Sequence, residues 1–70
     1  MAVVKVIEVL AESNESWEDA AQKAVKEASK SIRNIKSVYV KELQAVVESN
    51  QITGYRLNVK ISFVLEGSAG

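Results

Sequence analysis

The clearest pattern in the chain lies between Tyr55 and Leu65. Tyr55, Leu57, Val59, Ile61, Phe63 and Leu65 are apolar, and Arg56, Asn58, Lys60 and Ser62 fall between them, with only Val64 breaking the polar side. A strict period of two marks a β-strand with one buried and one wetted face. Eleven residues is long for a strand. The rest of the chain is too small to cover it alone.

Three further segments precede it. Val3 to Leu10 is a β-branched run whose charges, Lys5 and Glu8, alternate onto opposite faces. It reads as a strand partly buried on both sides. A polar connection over 11–15 leads to Ser16. Ser16 and Asp19 have the spacing of an acidic capping box, and Glu18 and Asp19 suit the positive end of a helix dipole. Trp17, Ala20, Ala21, Ala24, Val25, Ala28, Ile32 and Ile35 then recur at three and four residues. They predict a helix over roughly 16–34 with one apolar, alanine-rich stripe that permits close approach to a sheet. Trp17 is the single tryptophan. It reads either as an anchor in the core or an interface, or as a stacking platform.

Ser37 to Glu48 predicts a second strand with a change of phase. Val38 and Val40 are apolar at even positions, and Leu43, Ala45 and Val47 at odd ones. One inserted residue near Lys41 and Glu42 keeps both sets on one face, which is what a β-bulge does. Ser49, Asn50 and Gln51 supply the turn, where Asn50 tolerates positive φ. Ile52 and Thr53 begin the third strand, and Gly54 marks a second irregularity. The tail over 67–70 reads as flexible, leaving a single domain over 1–66.

The predicted order is strand, helix, strand, strand, an α+β arrangement in which the last two strands form a long hairpin. The crossover places the first strand in the same sheet. One helix covers one face, so the other face and both edges stay open, and open edges invite pairing with other chains. A closed homo-oligomer is expected.

Composition narrows this picture. A domain of 70 residues buries only about 60% of its unfolded surface and needs a supplement to its core. With no Cys and no His, disulfides and zinc sites of the Cys₂His₂ type are excluded. Partner subunits remain. Nine basic residues balance nine acidic ones, which argues against a strongly electrostatic nucleic-acid surface. No apolar run approaches the ~18 residues of a membrane span. A soluble cytoplasmic protein without nucleic-acid or membrane partners is the expectation.

Taken together, these segments resemble the dodecins, small strand–helix–strand–strand proteins with a three-stranded antiparallel sheet on one helix. The resemblance runs through the VIEVL strand, Ser13 in the following loop, the alanine-rich helix, Val40 and the stretch YRLNVKISFVLE from Tyr55 to Glu66. It implies assembly as a hollow homododecamer, and binding or storage of a small molecule, with flavin (riboflavin, FMN or FAD) as the family ligand.

The resemblance also locates the ligand contacts. The tryptophan that stacks on the flavin in the family corresponds to Ser37, and the glutamine at the ring edge to Arg56. The loop after the first strand carries Ala11 and Glu12 where glycine and threonine are common. An amide both donates and accepts, whereas guanidinium only donates. Tyr39, two residues after Ser37, reads either as an interface tyrosine or as a replacement stacking surface, and Arg56 either as a charge on the polar face shared with Asn58 and Lys60 or as a partner for flavin carbonyls or a phosphate. Ser37, Tyr39 and Arg56 are thus the candidate cofactor-binding residues. Ser37 should face the region of Ile61 to Phe63, and Arg56 that of Lys41 to Gln44, so a pocket using both combines subunits.

The alternative is a shell that binds no flavin but holds calcium or another small ligand, or is purely structural; some dodecin-like proteins with this kind of altered pocket are associated with calcium. Calcium wants six to eight oxygens in a compact cluster, and Glu12, Asp19, Glu42, Glu48 and Glu66 are scattered along the chain. Symmetry is the remaining way to gather them. No His, Cys or tellingly spaced carboxylate pair offers an acid, base or nucleophile. The reading is therefore of a binding protein and not an enzyme.

Overall fold

The computed structural model describes residues 3–65; Glu66 and the tail over 67–70 lie outside the described residues. The elements follow in the order β1 (Val4–Ser13), α1 (Trp17–Ala28), β2 (Ile35–Glu48) and β3 (Gln51–Val64). The three strands form one antiparallel sheet in the order β1-β3-β2. The most strictly alternating segment is thus the central strand. β1 and β2 flank it and run parallel to each other, joined by the helical crossover.

Alternation along β3 decides the core. Leu57, Val59 and Ile61 are fully buried and pack with Ala11, Ala20 and Ala24. Register brings Ile7 and Val38 beside Ile61, Val9 and Val40 beside Val59, and Ala11 and Leu43 beside Leu57. These residues share the face toward α1. Ala20 and Ala24, one turn apart, let the helix sit close to the strands.

The phase change in β2 is a bulge. Val40 pairs with Val59 and Glu42 with Asn58, so Lys41 is the extra residue. A second bulge inserts Lys36 between Ile35 and Ser37. A third irregularity, on β3, inserts Thr53 beside Gly54 and keeps Val47 opposite Ile52. The hairpin turns through Ser49 and Asn50, both at positive φ (51° and 63°), the two-residue geometry that matches strand twist.

The helix begins where its capping signal lies. The Ser16 side chain accepts from the Asp19 amide at 2.9 Å. The helix is shorter than its apolar stripe predicts, because it ends at Ala28. Ser29 caps it, with its Oγ donating to the Lys26 carbonyl at 2.7 Å, a local bond that competes with continued helix. Asn34 then takes a left-handed φ of 62°, and its carbonyl accepts from Val64 at 3.1 Å. Ile35 consequently packs on the core from the start of β2 and not from the helix.

Trp17 acts as an anchor. Its Nε1 donates to the Gln44 carbonyl at 2.9 Å, and its ring meets Tyr55 edge-on, with centroids 4.9 Å apart. The helix is thereby tied to the hairpin. The chain as a whole measures 52 × 20 × 13 Å, with a radius of gyration of 14.3 Å. A compact domain of this length has about 11 Å, so the fold is flat and elongated.

Candidate ligand face of the sheet

The face of the sheet turned away from α1 carries Ser37, Tyr39 and Arg56. It is built by the even positions of β1 and β3 and the matching positions of β2. Cross-strand rows run Val6–Ser62–Ser37, Glu8–Lys60–Tyr39, Leu10–Asn58–Glu42 and Glu12–Arg56–Gln44. Ser37 and Tyr39 share this face because the bulges fall at Lys36 and Lys41, outside the interval between them.

Arg56 lies six residues along β3 from Ser62, the partner of Ser37. That separation is about 20 Å. One chain therefore cannot bring Ser37 and Arg56 to one small ligand, as the hairpin register predicts. Each residue is also engaged within the chain. The Ser37 and Ser62 hydroxyls are hydrogen-bonded to each other. Arg56 Nε donates to Glu12 Oε1 at 2.6 Å. Tyr39 is 65% exposed.

The middle of the face holds a polar network. Lys41 Nζ, aimed by its bulge, lies 3.5 Å from Glu8 Oε2. The Asn58 amide hydrogen-bonds the same carboxylate, and Lys60 adds positive charge. The Asn58 bond first, then Lys41, hold the Glu8 carboxyl below its ordinary value. The Asn58 Oδ1 is buried and has no hydrogen-bond partner. Its row neighbour, Glu42, carries no ion pair among the described residues. An unpaired buried acceptor costs free energy that a donor or a cation would recover.

An open cleft of about 530 Å³ lies where β1 stops short of the hairpin end. Glu12, Arg56, Lys23, Glu48 and Thr53 are on its walls. Beside it, the connection into α1 is fixed by Ser13, whose Oγ donates to Asp19 Oδ2 at 2.6 Å and accepts from the Glu15 amide at 2.9 Å. Lys23 pairs with Asp19 at 3.1 Å. The Ser13 hydrogen bond, then Lys23, lower the Asp19 pKa.

These residues do not fit an isoalloxazine in the manner the resemblance implies. Ser37 offers a hydroxyl already bonded to Ser62 in place of an aromatic surface. Arg56 offers no acceptor and is held by Glu12. Nor does one chain build a calcium shell: no three acidic, His or Cys residues converge among the described residues. Glu12 is on Arg56, Asp19 on Ser13 and Lys23, Glu42 beside Asn58, and Glu48 at the hairpin end. Glu66 lies outside the described residues. Two features of this face escape the sequence, the Glu12–Arg56 pair and the orphaned Asn58 oxygen. Both depend on the β1–β3 register, which no turn connects.

Comparison with known proteins gives a consistent result. The dodecin family profile matches residues 3–66. A curated relative, the calcium dodecin of Mycobacterium tuberculosis (strain ATCC 25618 / H37Rv), is 38% identical over 63 residues, spanning 90% of this chain and 89% of that protein. The crystal structure of the M. tuberculosis calcium dodecin, described with a novel calcium-binding site, superposes with a TM-score of 0.80 at 35% identity, covering 97% of each chain. The dodecin from Streptomyces coelicolor superposes with a TM-score of 0.89 at 27% identity, covering 96% of each chain.

Proposed function

This chain belongs to the dodecin family, and from that premise we propose that it is a non-enzymatic, self-assembling binding protein whose small ligand is calcium and not flavin. The observation that carries this reading is the internal engagement of both flavin-contact positions, Ser37 with Ser62 and Arg56 with Glu12. A flavin entering there would break the Arg56 ion pair and find no tryptophan to stack upon. The relationship to a calcium dodecin at 38% identity points the same way.

Within one chain, the Glu42 carboxylate and Asn58 Oδ1 are neighbouring oxygens on the ligand face that no ion pair or hydrogen bond engages among the described residues. Both are oxygens, as calcium requires, but they fall short of its six to eight ligands. Copies of the chain related by symmetry supply the remainder, so the site belongs to the homododecamer and not to the subunit. Bound calcium would neutralise the carboxylates gathered at that contact and satisfy the Asn58 oxygen.

Parallel titrations test this reading. Calcium added to the assembled protein should give saturable heat and raise the thermal midpoint, because a ligand of the native state stabilises it. FMN added to the same protein should leave flavin fluorescence unquenched at micromolar concentration. Quenched FMN with no calcium response would reverse the assignment.

A further inference from the structure

Lys41 and Glu8 belong to the two edge strands, yet their side chains meet. Neighbouring strands lie about 4.8 Å apart, so the edges of this sheet are about 10 Å apart, with β3 between them. Lys41 Nζ is nevertheless 3.5 Å from Glu8 Oε2. The reach depends on the bulge. Lys41 is the extra residue between Val40 and Glu42, and a bulge re-aims the side chain it inserts. The lysine stem therefore crosses β3 on the face where Asn58 and Lys60 project.

Oxygen donors from all three strands gather where it crosses. Glu8 holds a hydrogen bond from Asn58, Asn58 Oδ1 is buried without a partner, and Glu42 is the row neighbour of Asn58. Lys41 and Lys60 balance Glu8 and Glu42, so with Lys41 in place these four charges cancel and a dication gains no net attraction. Withdrawal of the Lys41 ammonium leaves a net negative charge and an uncommitted Glu8 oxygen beside the orphaned Asn58 acceptor. Little opposes that withdrawal. Both side chains of the pair are 46% exposed, exposed ion pairs are weak and salt-screened, and the lysine stem is flexible.

We infer that Lys41 is a built-in competitor for the bound cation: its ammonium stands on Glu8 where a divalent cation would bind, and it swings out when Glu8, Asn58 and Glu42 ligate one. The strap is closed in the structure described here. Binding is then an exchange of one cation for another, so the affinity of the site is set by how firmly Lys41 holds Glu8. This names the regulation of the calcium site proposed above, adding Glu8 to its ligands, and it rests on that reading.

Calcium titrations of the assembled protein test it, comparing wild type with Lys41→Met, which keeps an apolar stem and removes the ammonium. Lys41→Met should bind calcium about tenfold more tightly, the scale of one unit charge removed from beside a dication in water. Lys60→Met removes an equal charge from the same face without opening the Glu8 contact, and should gain less. In wild type carrying isotopically methylated lysines, the Lys41 methyl resonance, assigned by its absence from Lys41→Met, should move as calcium saturates. Calcium binding by Lys41→Met alone is the strongest form of the same result. Equal affinity in wild type and Lys41→Met, or an equal gain in Lys60→Met, would overturn the strap while the calcium reading stands. Absence of calcium heat from all three proteins defeats that reading, and the strap with it. If Lys41→Met loses its fold by circular dichroism, Lys41→Gln is scored by the same criteria.

Discussion

Arg56 and Glu12 face each other across the β1–β3 ladder with Nε 2.6 Å from Oε1. The pair sits on the exposed face, with the side chains 42% and 62% accessible. Exposed pairs contribute little, about 0–1 kcal/mol. Its consequence is occupancy: it commits the cation that stands where the resemblance implies a flavin-contacting glutamine.

Removing that commitment and restoring an aromatic surface should create flavin affinity. The double variant Ser37→Trp with Arg56→Gln is expected to quench FMN fluorescence where wild type does not. Aromatic stacking beyond area burial is about 0.5–1.5 kcal/mol, so Ser37→Trp alone should tighten binding about two- to tenfold. Equal quenching by wild type and the double variant would sink this account of the face.

Helix initiation rests on Ser16. Its side chain satisfies the Asp19 amide, and Ser16→Ala should cost about 1 kcal/mol. The urea midpoint at fixed protomer concentration reads the effect. An unchanged midpoint would show that the Ser13 bonds hold the helix start without the cap.

Acid should weaken the β1–α1 connection. The folded-state pKa of Asp19 is lowered from 3.8, first by Ser13 and then by Lys23. A depressed carboxylate contributes stability that is full above its unfolded value and is lost as pH falls through its folded one. Glu8 is lowered from 4.5, first by Asn58 and then by Lys41, and acts in the same direction. Urea midpoints should therefore fall below pH 4.5, and Asp19→Asn should make that fall shallower. A wild-type slope retained in Asp19→Asn would assign the acid sensitivity elsewhere.

The small core should be intolerant of cavities. Ile61 is fully buried against both flanking strands, and Ile61→Ala should cost about 2–5 kcal/mol. For a domain with only a few kcal/mol of its own stability, that loss is expected to abolish cooperative unfolding of the subunit. A sigmoidal melt retained within about 3 °C of wild type would show that assembly supplies most of the stability.

Much of the fold is legible in the sequence because it depends on local periodicity. Alternation from Tyr55 to Leu65 marks the central strand, the slip between Val40 and Leu43 gives the Lys41 bulge, and Ser16 with Asp19 marks the helix start. The helix end is misread because Ile32 and Ile35 keep the helical spacing after Ser29 has ended the helix. The strand order is not legible, since a hairpin fixes which strands of β2 and β3 pair but leaves the place of β1 to packing. The site follows the same division. Ser37 and Arg56 can be set apart by counting from the turn, whereas the Glu12–Arg56 pair and the Asn58 oxygen need a third strand in register.

The two bulges of β2 have a consequence for growth. Each inserts a lysine, Lys36 or Lys41, into a 14-residue edge strand that contains no proline. An uninterrupted edge of that length would template strand after strand from further copies, the route to fibrils. Broken twice and charged at each break, it presents only short straight runs. For the assembly proposed above, such an edge steers growth toward a particle of finite size.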